Sequence, residues 1–302
     1  MKSIVNRITA LCLIACLVTA CRKEEKLTAS PDRENVYGDY TLPQGNHPYD
    51  TEIVQMFQQY NTLFLYKYVP HDLYYQVIYN TGGIYDAVKD STTRYGYFDV
   101  PANEAYVGQQ LDLLKEIWLK FYPDALLKAA LPKKVFLLDS FYFAYAGAGK
   151  PTDNWPTLYD TYQGEDFFAV TWGGTRLNAI TMAEKYDLKS TLNTMFLTLA
   201  HQKGAIKRST AFTALTNYPA VTYTNYYEMG IINYYTRTPD TDWDTFMQTI
   251  VSNSYASLTA PGGVLHPGVD TKGLIRKKYD LMIAYFKTVL GVDLQAIGDA
   301  GI

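Results

Sequence analysis

Residues 188–202 read Leu-Lys-Ser-Thr-Leu-Asn-Thr-Met-Phe-Leu-Thr-Leu-Ala-His-Gln. Leu192, Met195, Phe196 and Leu199 stand at i, i+3, i+4 and i+7, the spacing of one buried face of an α-helix. They form the second half of a stretch over about 175–206 that is expected to be one long helix. Thr194 and Thr198 are four residues apart, so they share a face of that helix. His201 and Gln202 follow at its end.

The same spacing recurs on both sides. Val107, Leu111, Leu114, Trp118 and Phe121 predict a helix over about 103–122. Ile53, Met56, Phe57 and Tyr60 predict a shorter one near the start of the domain. Trp243, Phe246, Met247 and Ile250 mark a later helix, and Ile275, Tyr279, Met282, Phe286 and Leu290 mark the last. Three stretches read as strands instead: 62–69 (TLFLYKYV), 135–143 (VFLLDSFYF) and 167–172 (FFAVTW). Gly82-Gly83 reads as a turn, residues 147–156 as a loop, and Gly173-Gly174 as a strand terminator. This order predicts an α+β domain, mostly helical, with a small sheet. No internal repeat is visible.

The N-terminus carries a different signal. Lys2 and Arg7 precede an apolar run over residues 8–20. That run is shorter than the roughly 20 residues a membrane-spanning helix needs, so it reads as a signal peptide. It ends in Val18-Thr19-Ala20-Cys21, which resembles a bacterial lipobox with Cys21 as the lipidated residue. The expected division is a signal peptide over 1–20, a lipidated N-terminus and flexible tether over 21–48, and one domain over 49–302. Cys12 and Cys16 fall in the signal peptide, so Cys21 would be the sole mature cysteine and no internal disulfide could form. Arg22-Lys23-Glu24-Glu25-Lys26 resembles the surface-export signal of Bacteroidetes lipoproteins. The expected location is therefore the outer membrane, lipid-anchored, at the cell surface.

Composition narrows the function classes. Without Lys2 and Arg7 the chain holds 25 basic and 30 acidic side chains, which gives nucleic acid no electrostatic footprint. Tyrosine is abundant at 28 copies, against 4 histidines. The pairs Tyr74-Tyr75, Tyr226-Tyr227 and Tyr234-Tyr235 could stack on sugars. The simpler reading is half-buried surface with one wet end.

Motifs of enzymatic chemistry are missing. There is no G-x-S-x-G elbow and no Gly-rich phosphate loop after a strand. His47, His71, His201 and His266 are isolated, and no H-E-x-x-H places two imidazoles one turn apart beside a Glu.

From about residue 50 onward the chain nonetheless resembles the Bacteroidetes substrate import-associated zinc metallohydrolase lipoproteins, a zinc-binding metallopeptidase family. The resemblance rests on the lipobox and on Tyr60-Asn61 followed by Leu65-Tyr66-Lys67-Tyr68. It also rests on the helix with Trp118 and Tyr122, the strand VFLLDS, and the C-terminal run KKYDLMIAYFKTVLGVDL. The family's central helix carries H-E-F-x-H, then two residues, then His or Asn before Gln. Aligned here, Phe196 and His201-Gln202 match. The two zinc histidines fall on Thr194 and Thr198, and the catalytic Glu falls on Met195. The family's later acidic helix corresponds to Asp242-Trp243-Asp244-Thr245, with Thr245 at the position of the ligand acid.

The departures matter as much as the matches. Catalytic zinc takes three His, Cys or carboxylate ligands plus a water. Neutral Thr hydroxyls are poor substitutes, and Met195 cannot accept a proton. The resemblance thus implies a zincin-like fold with no cofactor, whereas active relatives hold zinc. His201, Gln202, Asp242 and Asp244 would line whatever pocket remains. Three readings stay open. One is a non-catalytic accessory lipoprotein of an outer-membrane nutrient importer and its glycan-binding lipoprotein. Another is a hydrolase with a divergent site drawn from Asp242, Asp244, His201 and Glu228. The last is a structural envelope lipoprotein.

Lipid attachment has a direct test. Several acyl chains hold a protein to a bilayer far better than one. The Cys21→Ala chain is expected in the soluble fraction, with the parent in the membrane pellet. A Cys21→Ala chain that still sediments with membranes would exclude the anchor.

Overall fold

The computed structural model describes residues 40–69, 72–73, 95–145 and 157–301. Cys21, the Tyr74-Tyr75 pair, His71, the Gly82-Gly83 turn and the 147–156 loop lie outside these residues. From Tyr40 onward the chain forms one unit. Tyr40 and Gln44 belong to the stretch read as a tether, yet both bond to the domain. The Tyr40 hydroxyl accepts from Val69 N–H at 3.0 Å, and the Gln44 side-chain oxygen accepts from Tyr66 N–H at 3.1 Å.

Helix α1 spans Pro48–Tyr60. Proline suits the first turn, where an N–H would lack a partner in any case. Asn61 ends the helix in the left-handed conformation, φ 56°. Strand β1 follows at Leu63–Leu65 and is shorter than the sequence pattern implies. All three of its residues are buried, so burial on both faces replaces the alternation of a half-exposed strand.

Strand β2 (Tyr95–Pro101) leads to helix α2 (Val107–Ile117). The helix expected to reach 122 stops at Ile117 and passes into a 3-10 turn at Leu119–Phe121. Trp118 sits at the break, fully buried, with its ring 5.9 Å from Phe168 and 6.0 Å from Phe196. Its backbone, φ −136° and ψ −71°, has left helical geometry. Helix α3 (Asp124–Ala130) begins directly after Pro123.

Strand β3 (Lys134–Tyr145) organises the sheet. Its first half runs parallel to β1 on one side and to β6 (Phe167–Val170) on the other. Its second half pairs antiparallel with β2 and with β4 (Thr157–Leu158). Strand β5 (Thr161–Gln163) closes the far edge, antiparallel to β6. The sheet is therefore small and mixed. Buried Gln110 of α2 secures its C-terminal end, where its amide donates to the carbonyls of Val170 at 3.0 Å and Thr171 at 2.8 Å. Just beyond, Gly174 lies so close to Asp139 that a Cβ would sit 1.9 Å from its carboxylate oxygen.

The long helix expected over 175–206 is two pieces. A 3-10 turn at Thr175–Ala179 precedes helix α4 at Met182–Gln202. Thr181 and Glu184 divide them through a capping box. The Thr181 hydroxyl accepts from Glu184 N–H at 3.2 Å, and the Glu184 carboxylate accepts from Thr181 N–H at 2.8 Å. A helical layer follows: α5 (Thr210–Thr213), α6 (Pro239–Val251), α7 (Tyr255–Thr259), α8 (Leu274–Tyr285) and α9 (Leu294–Asp299). The helix read through Leu290 becomes a π-turn after Tyr285. The architecture is α+β, as the periodicities imply. Among the described residues no helix is long and apolar enough to cross a membrane.

Helix α4 buries Leu192 and Phe196 completely, and Leu199 nearly so. The Phe196 ring packs 4.4 Å from that of Tyr122. Truncating a large buried aromatic costs about 3–5 kcal/mol through lost burial and the cavity left behind. Phe196→Ala should lower the urea midpoint by a matching amount, whereas Gln202→Ala at the exposed end of α4 should leave it unchanged. Equal midpoints for the two variants would contradict this packing.

Candidate functional site

The face of α4 opposite the Phe196 core is a polar stripe. Tyr186, Ser190, Thr194, Thr198 and His201 follow one another at intervals of three or four and lie along α6, which runs antiparallel. Their partners descend α6 in order. Tyr186 OH donates to Ser252 O at 2.8 Å, and the Ser190 and Ser252 hydroxyls meet at 2.6 Å. The Gln248 amide donates to Thr198 Oγ1 at 3.3 Å. His201 Nδ1 donates to Asp244 Oδ1 at 2.6 Å. Asp244 and Gln248 are four apart on α6 and meet residues three apart on α4, so the contact repeats once per turn.

The structure places each expected residue. Thr194 and Thr198 are half-buried on the stripe, and Met195 turns into the core. His201 and Asp244 come together, with side-chain exposures of 14% and 23%. Burial raises the Asp244 pKa, opposed by the His201 hydrogen bond. Gln202 and Glu228 are exposed. The Thr245 hydroxyl donates back to Thr241 O on its own helix at 2.7 Å.

Asp242 lies elsewhere. Two residues along a helix turn a side chain through about 200°, so Asp242 points away from Asp244. It is fully buried, 2.5 Å from Lys278 Nζ of α8, and accepts from Tyr218 OH at 2.8 Å. Burial pushes the Asp242 pKa up and that of Lys278 down, each opposed by the other's charge. The pair is a structural fastening between α6 and α8 with no route to solvent. A hint lay in the sequence: Ile275, Lys278, Tyr279 and Met282 stand at i, i+3, i+4 and i+7, so Lys278 occupies a core slot and needs a buried partner. Gln248, Ser252 and Tyr218 carried no comparable signal.

Zinc does not fit these groups. The stripe offers one imidazole and one carboxylate, already bonded to each other, and hydroxyls elsewhere. Among the described residues no three His, Cys, Asp or Glu side chains gather as a metal would require.

Comparisons with known proteins add little. No family model matches the chain, and no curated protein matches it. A solved structure from Bacteroides caccae ATCC 43185, described as a "putative zinc-binding metallo-peptidase", is similar over 84% of this chain and 91% of that one. The identity is 16% and the TM-score 0.45.

The Asp242–Lys278 pair yields a sharp expectation. Removing one partner of a buried ion pair strands the other charge and costs about 3–5 kcal/mol, whereas replacing both with apolar side chains is close to neutral. Asp242→Leu alone should therefore destabilise far more than Asp242→Leu with Lys278→Met, measured by chemical denaturation. Additive losses in the double variant would show that the two charges are not coupled.

Proposed function

We propose that this chain is a lipid-anchored envelope protein that keeps a metallopeptidase-like domain without zinc chemistry and serves as an accessory binding component of an outer-membrane nutrient importer. Export and anchoring rest on residues 1–21. The importer association and the zincin-like relation rest on the sequence resemblance. One observation carries the loss of catalysis: the helix face that would hold the zinc histidines is bonded instead to α6, through Thr198 with Gln248 and His201 with Asp244. Met195, which the resemblance sets where the general-base Glu would be, packs into the core and cannot accept a proton.

A second reading is favoured by the His201–Asp244 pair, in which a carboxylate orients a half-buried imidazole. That motif also serves metal-binding and general-base histidines. Elemental analysis of protein purified without chelator separates the two. The expected result is zinc far below one equivalent and no hydrolysis of a peptide library. Near-stoichiometric zinc that leaves with a hydrolytic activity, and is lost in His201→Ala, would establish the second reading.

A further inference from the structure

The segment 221–237 carries a feature that neither the α4 stripe nor the ion pair uses. Val221 and Ile231 are buried and hold it to the domain. Thr216 Oγ1 donates to Met229 O at 2.8 Å across its base. The turns between are tied by their own polar groups. Asn225 Oδ1 accepts from Thr222 N–H at 2.7 Å, and its amide donates to Ala220 O at 3.1 Å. Asn233 Oδ1 accepts from Tyr235 N–H at 3.0 Å. These bonds order a short surface segment that has little core of its own.

Five tyrosine rings stand on that segment. Tyr223 lies 5.4 Å from Tyr234 and 6.4 Å from Tyr226. The Tyr226 and Tyr227 rings lie 4.2 Å apart, tilted by 35°, and Tyr234 is 5.5 Å from Tyr235. Tyr223 is 67% exposed and Tyr235 82%. The Arg237 guanidinium covers the Tyr234 ring at 4.2 Å. The outermost rings are thus presented to solvent on a bonded frame, and the inner ones support them. Contiguous exposed aromatic surface of this kind marks a binding site more often than chance.

We infer that this tyrosine cluster binds a neutral polysaccharide, the exposed Tyr223 and Tyr235 rings stacking on the C–H faces of successive sugar rings. The chemistry of the patch selects that class. The aliphatic side chains between 222 and 238 are Met229, Ile231 and Ile232; Ile231 is buried and Ile232 packs on the core, so the exposed surface is mainly aromatic and hydroxylic. Its charges are one Glu228 and one Arg237, and Arg237 is held over Tyr234, so the patch matches an uncharged ligand. A pyranose presents the complementary pair of surfaces: an apolar C–H face for the ring, and a rim of hydroxyls for the Tyr, Thr and Asn groups around it. Glu228 is the single carboxylate of segment 221–237, and glycoside hydrolysis takes a pair, so the site is assigned to binding and not to cleavage. The inference rests on the binding half of the proposed function and not on the loss of zinc.

Affinity electrophoresis tests it. Full-length protein in a non-glycosidic detergent is run on native gels cast with soluble starch, mixed-linkage glucan, galactomannan or xylan, and with polygalacturonate as the charged comparison. Retardation by at least one neutral polysaccharide is expected. Tyr223→Ala and Tyr235→Ala should each weaken it by about two- to tenfold, the worth of one aromatic stack. The double variant should migrate as in a plain gel with an unchanged melting temperature, and Tyr→Phe at both positions should keep most of the retardation. No retardation in any neutral gel overturns the inference, as does retardation that survives the double Ala variant or occurs with polygalacturonate alone. A double variant that dissociates a dimer in sedimentation while its retardation stays intact would assign the patch to a second copy of the chain instead. Zinc content reads the other half of the proposal separately: stoichiometric zinc would remove the non-catalytic reading and leave the polysaccharide result standing.

Discussion

Phe196 packs between Tyr122 and Trp118, and this ring contact joins the two halves of the chain. Trp118 in turn lies against Phe168 of the sheet. Among the described residues, the elements before α4 build the sheet and its flanking helices, those after it build a helical layer, and α4 packs against both. Its apolar face meets α2, the 3-10 turn after it and α3, while its polar stripe meets α6. Close packing makes such a doubly buried helix intolerant of change on either side.

The two faces of α4 hold their neighbours by different physics. On the core side the attraction is area removed from water, which is strong but non-directional. Buried Asn193 supplies direction there: its amide donates to Ile117 O at 2.9 Å, and its oxygen accepts from Tyr122 OH at 2.8 Å. Together these fix where α4 sits along the broken end of α2. Lys189 works similarly. Its fully buried ammonium donates to Ile297 O at 2.7 Å and Ala300 O at 3.0 Å, satisfying carbonyls at the C-terminus of α9, where a helix dipole favours positive charge. Desolvation lowers the Lys189 pKa, and these carbonyl contacts are what makes its burial tolerable.

Periodicity made the helices legible, because apolar residues at i, i+3, i+4 and i+7 have few alternative uses. It failed where another constraint overrode it. The break before α4 needed the Thr181–Glu184 capping box, a local signal that sits inside an otherwise continuous pattern. The stop at Trp118 left no mark in the apolar spacing, which runs on through Phe121. The candidate site was less legible still. Asp242 and Asp244 look like one acidic cluster in sequence, but the helix sends them to opposite sides, one to Lys278 and the other to His201. Which acid met which base depended on how α6 packs between α4 and α8, and that is a tertiary fact. The adjacent tyrosine pairs were visible as unusual. Their union into one surface depended on a turn joining 223–227 to 234–235.

The sequence resemblance sets α4 against a zinc helix, and the difference between the two lies in a whole face and not in three positions alone. A zincin helix keeps one side open to solvent so that two imidazoles and a glutamate can meet metal and water. On α4 Thr198, which the sequence resemblance aligns with the second imidazole, is bridged to Gln248, and His201 is bonded to Asp244. The position of the glutamate is only 9% exposed and belongs to the apolar core. A carboxylate there would be buried without a partner, at a cost of several kcal/mol. Placing histidines at 194 and 198 would give zinc its spacing, but position 198 already meets Gln248 of α6. The hydrogen bonds along the stripe help hold α6 there: Tyr186 and Ser190 meet Ser252, Thr198 meets Gln248, and His201 meets Asp244.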